Sequence, residues 1–314
     1  MKIKLLLISA LAVALSGCIV VVTGDPAGTP TAPIDTIASS QLVYSSTDPA
    51  DGSHFVHLLK LDGSINQVVA IGWNPHLAPS GHALAFQRDG DYPAGKGDHL
   101  YVRNLETGTE TSVMNGSDYM VSAGWTPDSQ ALIFDEQCSL GRVTRDGSSV
   151  TLLRDANCFD DAPNVNPVTG QIVFHNANFA AGGLWIMDAS GGNAKQIAGT
   201  LTGDAWPAWS PDGKSISFLR TNADDLYKGV LHTVNPDGTN DRTLTDLNTD
   251  SSNFVRPTAA WTPDGRGIIA AVVAGGQTSV RLIATKTSDK PVTLKVPNAD
   301  AVDFIGNIAP VSIK

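Results

Sequence analysis

Hydrophobic and polar positions alternate in short runs along most of the chain, and the runs recur in register. Residues 209–218 read WSPDGKSISF, and weaker copies are WTPDSQALIF at 125–134, WTPDGRGIIA at 261–270, LAPSGHALAF at 77–86 and VNPVTGQIVF at 165–174. In each copy an apolar run ends at Trp or its substitute, a proline opens a turn, and an alternating run returns. Seven residues after its proline comes one slot, held by Phe86, Phe134, Phe174, Phe218 or Ala270. Proline presets φ for the turn and glycine tolerates the positive φ that closes it, so each copy predicts a β-hairpin. Trp125, Trp209 and Trp261 share the slot two before the proline and are expected in the core rather than on a sugar platform.

A second hairpin is predicted downstream of each first one, in HLYVRNLETGTETSV, GRVTRDGSSVTLL, GLWIMDASGGNAKQIA and VLHTVNPDGTNDRTLT. In the last full unit, SVRLIATKTSDKPVTL, Thr-Ser-Asp replaces the glycine turn. The register prolines Pro79, Pro127, Pro167, Pro211, Pro263 and Pro310 are 48, 40, 44, 52 and 47 residues apart. Four strands in about 46 residues is the size of a propeller blade. Residues 41–46, QLVYSS, look like a second strand with Tyr44 in the Phe slot, and HFVHLLKLDGSINQVV supplies a third and fourth. The missing first strand is AVDFIGNIAP, at the other end of the chain. The expectation is an all-β, six-bladed β-propeller over residues 41–314, with four-stranded blades. The C-terminal strand pairs with the N-terminal three, which leaves no open sheet edge.

The segments WSPDGKSISF, WTPDGRGIIA and WTPDSQALIF resemble the repeats of the TolB-type propeller family. The resemblance implies the propeller fold for about residues 41–314. Similar blades occur in peptidase propellers and polysaccharide lyases, so the resemblance specifies fold more closely than activity.

Composition agrees. Of 31 acidic residues only Glu106, Glu110 and Glu136 are glutamate, and the other 28 are aspartate, a residue that collects in turns and caps and disfavours helix. A net charge of −10 without a basic run argues against nucleic acid, whose phosphates need clustered Lys and Arg.

The first 17 residues read as a signal peptide: Lys2 and Lys4, then an apolar stretch from Leu5 to Leu15. The ending Leu-Ser-Gly-Cys at 15–18 resembles the bacterial lipobox, and this resemblance implies lipidation of Cys18. Residues 18–40 then read as the lipidated cysteine and a flexible tether rich in Pro, Thr, Ala, Gly and Ser. No Asp follows Cys18 directly, which by the same resemblance favours the periplasmic face of the outer membrane. Contact with the membrane is expected through the anchor only, since the mature chain carries 19 bases against 31 acids and is repelled by an anionic surface. Cys138 and Cys158 fall on connections at one face of blade three. A disulfide between them suits an oxidising periplasm, and two free thiols are the alternative.

Seven residues before the register prolines stand Gly72, Met120, Asp160, Asp204, Arg256 and Asp303, at the mouth of the expected central channel. Beside them lie Asp161, Trp73, Trp206, His76 and Tyr119. This mix of acids, one Arg and aromatics suits a recognition surface. The alternative is that the aspartates cap turns or hold channel water, with Arg256 offsetting their charge. No nucleophile elbow, P-loop or dinucleotide fingerprint is present, no catalytic residue is assigned, and neither cofactor nor resident metal is expected. Three functions remain. The first is a monomeric, non-catalytic scaffold for an envelope protein or peptide. The second is a lyase or hydrolase of a sugar polymer using a metal on Asp160, Asp204 and Asp303. The third is a purely architectural component.

Overall fold

The computed structural model describes residues 40–310 apart from 49, 61–64, 90–97, 116–119, 137–138, 156–159, 179–181, 223–224, 245–253, 275–276, 286–291, 295 and 297–301. For 40, 89, 98, 120–123, 222, 225–228, 254–258, 273–274, 277–278, 292–293 and 302–310 the backbone alone is described. Cys18, Tyr119, Cys138 and Cys158 lie outside the described residues, as do the side chains of Arg256 and Asp303.

The 24 described strands form six blades. Blade 1 holds β1 (Ser40–Thr47), β2 (His54–Lys60) and β3 (Asn66–Ile71), and takes its innermost strand β24 (Val302–Pro310) from the end of the chain. Blade 2 is β4 (Trp73–Leu77), β5 (Ala83–Asp89), β6 (Asp98–Asn104) and β7 (Glu110–Asn115). Blade 3 is β8 (Met120–Trp125), β9 (Ala131–Glu136), β10 (Ser139–Thr144) and β11 (Val150–Asp155). Blade 4 is β12 (Asp160–Val165), β13 (Ile172–Asn176), β14 (Gly183–Met187) and β15 (Lys195–Gln196). Blade 5 is β16 (Asp204–Trp209), β17 (Ile216–Asn222), β18 (Asp225–Val234) and β19 (Arg242–Thr243). Blade 6 is β20 (Phe254–Trp261), β21 (Gly267–Ala274), β22 (Gln277–Ala284) and β23 (Val292–Thr293). The six innermost strands adjoin one another in sequence around a ring.

Ring closure follows the expected register. β24 runs antiparallel to β1, with Ser40 opposite Pro310 and Ser46 opposite Val302. The outermost strands depart from expectation. They are six residues long in blades 1, 2 and 3 but two residues long in blades 4, 5 and 6. The long ones carry mostly β-forming runs such as NQVVAI and VTLLRD. The short ones sit in polar stretches such as NAKQ and NDRT, where Asn193 and Asn240 take left-handed φ of 55° and 56°.

Tyr44, Phe86, Phe134, Phe174, Phe218 and Ala270 are all buried, none more than 4% exposed, and each belongs to a hydrophobic cluster shared with the neighbouring blade. The tryptophan slot seals the joint between blades. Trp125 Nε1 donates to His76 O of blade 2 at 2.8 Å, and Trp261 Nε1 donates to Ala208 O of blade 5 at 3.1 Å. Trp209 departs from the pattern. Its backbone N–H takes the Asn164 side-chain oxygen at 2.9 Å, and its Nε1 is buried without a hydrogen-bond partner among the described residues. In the turns, the Thr126, Ser210 and Thr262 hydroxyls donate to Asp128, Asp212 and Asp264, and each aspartate also accepts the N–H two residues on. Much of the chain's aspartate therefore serves its own turns, as the composition implied.

Candidate functional site

The innermost strands share a feature that the repeat register alone does not reveal. In every blade the pairing of the innermost strand with its neighbour shifts register: Trp73 to His76 spans three residues against two on β5, and Asp161 to Asn164 does the same against β13. The shift recurs at Met120/Ala123, Ala205/Ala208, Val255/Ala259 and Ile305/Ile308. These are β-bulges, which bend a strand and re-aim its side chains. In blades 2, 4 and 5 the bulge holds a non-glycine residue in left-handed conformation at one register, five before the proline: Asn74 (φ 51°), Ala162 (φ 49°) and Trp206 (φ 56°). Such a residue costs about 1–3 kcal/mol and persists only where its surroundings enforce it. A signal was present in the sequence. Pro75, Pro163 and Pro207 each stand four residues before a register proline, and a proline inside a strand belongs at an edge or a bulge.

Asp160 and Asp204 occupy equivalent positions and are 0% exposed. Asp160 accepts from Arg154 Nε at 2.5 Å and from Asn176 Nδ2 at 2.6 Å. Burial pushes its carboxyl up from the ordinary range, against the pull of these two donors. Asp204 accepts both Nε and Nη2 of Arg220, at 2.7 and 2.8 Å, and its second oxygen also takes the Leu201 N–H. Each guanidinium lies over the slot aromatic of the blade whose aspartate it meets, Arg220 at 5.3 Å from the Phe218 centroid and Arg154, reaching across from blade 3, at 5.6 Å from that of Phe174. Arg220 reaches further, to Asp241 at 3.0 Å, and Asp241 accepts from His232 at 2.8 Å. With their oxygens spent on arginine, these two carboxylates act as buried counter-ions. A metal held by Asp160, Asp204 and Asp303 would have to break both ion pairs, and no metal-sized grouping of His, Cys, Asp or Glu exists among the described residues.

What the rim offers to solvent is the neighbouring set. Asp161 is 37% exposed in its side chain and holds His175 Nδ1 at 2.9 Å, while His175 Nε2 donates to Thr202 O at 3.1 Å. Burial alone would push His175 down, but the bond and charge of Asp161, with the Thr202 carbonyl, hold its pKa above the ordinary value. An imidazole between two acceptors is doubly protonated, and it ties β13 to the segment entering β16. Trp73, Trp206 and His76 are half-buried. Trp73 packs edge-on to His54 with centroids 5.2 Å apart, and His76 Nε2 meets Asn74 Oδ1 at 3.2 Å. Desolvation pushes His76 down to about 4, so it stays neutral near pH 7. Arg256 lies on β20 and Asp303 on β24, in the innermost strands that complete the ring. The register thus puts these residues on the innermost strands but does not distinguish the buried aspartates from the exposed one beside them.

Residues 58–301 match the family model described as the TolB beta propeller domain. An uncharacterized protein of Agrobacterium fabrum is 26% identical over 137 residues, 38% of this chain and 46% of that protein, so the match spans less than half of the relative's length. Among solved structures, TolB from Acinetobacter baumannii superposes with a TM-score of 0.70 at 14% identity, covering 86% of this chain and 67% of that one. A protein assigned as TolB from Agrobacterium tumefaciens superposes at 0.58 and 20% identity, covering 74% of this chain and 90% of its own. At these identities the superpositions speak for the fold.

Proposed function

The chain belongs to the TolB β-propeller family, and from that premise we propose that it is a non-catalytic docking scaffold of the bacterial envelope. In this reading residues 1–17 are removed, Cys18 is lipidated, and residues 18–40 tether a monomeric propeller to the periplasmic face of the outer membrane. Its rim, built from Asp161, Trp73, Trp206 and His76 with Arg256 and Asp303, takes an envelope protein or peptide. The observation that carries the reading is the ring of bulges, with strained residues repeated at one register in three blades, because bulges and left-handed side chains gather where a surface is shaped for a ligand. A Cys138–Cys158 disulfide belongs to the same proposal. β10 and β11, which adjoin the two cysteines in sequence, set Ser139 opposite Asp155.

The rim is tested by crosslinking and affinity capture of the full-length protein from its own envelope, comparing wild type with Trp73→Ala and Arg256→Ala. Capture of one partner is expected to weaken about tenfold, with the melting temperature little changed, as for truncation of interface anchors. Capture that survives both substitutions unchanged would refute the rim. Metabolic labelling with a fatty-acid probe, lost in Cys18→Ser, tests the anchor.

A further inference from the structure

On the opposite side of the ring from the bulged rim, the turns of blades 2 and 3 enclose a groove of about 610 Å³, large enough for two or three sugar rings. Its walls come from Val102 and Asn104 at the end of β6, from Thr107, Thr109 and Thr111 leading into β7, and from Arg142, Thr144 and the β10–β11 turn opposite. Arg142 and Arg145 are half-buried, and neither guanidinium forms an ion pair among the described residues. Four other half-buried arginines have an acidic partner: Arg88 and Arg103 meet Glu110, Arg154 meets Asp160 and Arg220 meets Asp204, while Arg281 meets the Ser279 hydroxyl. The acceptors nearby are largely committed. Asn104 Oδ1 accepts from the Glu106 and Thr107 N–H groups, which leaves its amide NH₂ toward the groove. Asp146, at the rim, gives Oδ1 to the N–H and hydroxyl of Ser148. Asp128, whose charge Arg142 feels, gives Oδ1 to Thr126 and Gln130.

We infer that this groove binds an acidic oligosaccharide, a short chain of sugar rings bearing carboxylates. Two guanidiniums without an ion pair among the described residues present the planar fork that recognises a carboxylate in bidentate fashion, and Thr111 adds a side-chain hydroxyl to the wall, while the hydroxyls of Thr107, Thr109 and Thr144 are already bonded within their own turns. Among the described residues no aromatic lines the groove for a base to stack upon, which disfavours a nucleotide, and its volume exceeds what a single inorganic anion fills. The site uses none of the rim residues, so it stands or falls apart from the docking function.

Calorimetric titration of the full-length chain with trigalacturonate, maltotriose and inorganic phosphate tests the inference. Trigalacturonate is expected to bind, more weakly at high salt, and maltotriose to bind at least about tenfold more weakly, since it lacks the carboxylates that the guanidiniums pair with. R142Q/R145Q is expected to abolish binding at an unchanged melting temperature. Should that variant fail to fold, R142K/R145K keeps the charge, removes the fork and is expected to lose roughly tenfold in affinity. Trp73→Ala is expected to leave trigalacturonate binding intact. The inference is overturned if trigalacturonate does not bind, if the folded arginine variants bind it as wild type does, or if inorganic phosphate binds equally well and displaces it.

Discussion

Blades 2 and 5 solve one problem in two ways. In both, an arginine two residues after the slot phenylalanine caps the aromatic core: Arg88 lies 5.0 Å from the Phe86 centroid and Arg220 lies 5.3 Å from that of Phe218. In blade 5 the counter-charge is Asp204 on the innermost strand, wholly buried and gripped by two guanidinium nitrogens. In blade 2 it is Glu110 on the outermost strand, 24% exposed and shared with Arg103, while Arg88 Nε turns to the Ile71 carbonyl. The reason lies in the position equivalent to Asp204. Gly72 stands there with φ 142°, and a Cβ on it would lie 2.1 Å from Gln87 O. Blade 2 has no room for an inner carboxylate, so its arginine is served from the periphery. The same repeat thus yields a dry ion pair beside the rim in one blade and a wet one at the outer edge in another.

The largest difference between the two should appear on removing the carboxylate from blade 5. Asp204→Asn removes the buried end of the pair and leaves Arg220, itself 27% exposed, with only the part-exposed Asp241. Because one end of the pair reaches water, the cost should fall at the lower end of the range for a buried pair, about 3 kcal/mol. Urea unfolding of the variant should show that loss in the midpoint with little change in slope, and a loss below about 1 kcal/mol would place Asp204 among the dispensable aspartates.

Next in size is the attempt to give blade 2 a side chain at the same slot. Gly72→Ala introduces a Cβ against the Gln87 backbone and the Phe86 ring, where neither neighbour can move without disturbing β5. A cost of about 2–3 kcal/mol is expected, since the site combines a φ that L-residues avoid with a direct clash. Gly52→Ala is the control. Its φ is 78° and nothing lies within 4 Å of its Cβ, so the conformational part alone, about 1 kcal/mol, should remain. Equal losses at the two sites would show that the inner slot of blade 2 is roomier than the comparison requires.

This contrast also marks where the sequence stops being readable. The slot residues, the tryptophan joints and the pairing of 302–310 with 40–46 follow from spacing, because every blade needs the same large side chain at the same height. Which carboxylate meets which arginine does not follow. The aspartates at 160, 161 and 204 look alike in composition, yet the alternation of a strand turns Asp161 outward and leaves Asp160 and Asp204 inside. Arg154 is harder still, since it leaves blade 3 to cap Phe174 of blade 4, where Asn176 holds the position that Arg88 and Arg220 fill elsewhere. The bulges are written in Pro75, Pro163 and Pro207, but only to a reader who already knows that these segments are strands.

Titration separates blade 2 from the joint between blades 4 and 5 by sign, with a smaller effect. His76, on the inner strand of blade 2, has its folded pKa lowered to about 4 by burial, so its contribution is present above the ordinary histidine value of 6.5 and is lost as pH falls toward 4. His175, which ties blade 4 to the entry of blade 5 through Thr202, has its folded pKa raised. Its contribution is complete below 6.5 and is lost as pH rises through the folded value. Melting temperature should therefore fall on both sides of about pH 6.5. His175→Gln should flatten the alkaline side alone and His76→Gln the acid side alone. A His175→Gln profile still sloping downward above pH 6.5 would remove the tie to blade 5 from the account.

The smallest effect is expected at the periphery of blade 2. Glu110→Gln keeps the shape of the side chain and one acceptor oxygen while removing the charge shared by Arg88 and Arg103. All three side chains are roughly a quarter exposed, so water can reach each end of both pairs once the carboxylate is gone. Arg88 also retains the Ile71 carbonyl at 2.8 Å and its place over Phe86 and Tyr101. Exposed pairs contribute about 0.2–1 kcal/mol, and two of them sharing one acid should remain near the upper end of that range. The loss should shrink further in high salt, where the Asp204→Asn penalty persists because ions do not screen a buried pair as well. A Glu110→Gln loss as large as that of Asp204→Asn, and as indifferent to salt, would erase the distinction between a dry inner counter-ion and a wet outer one.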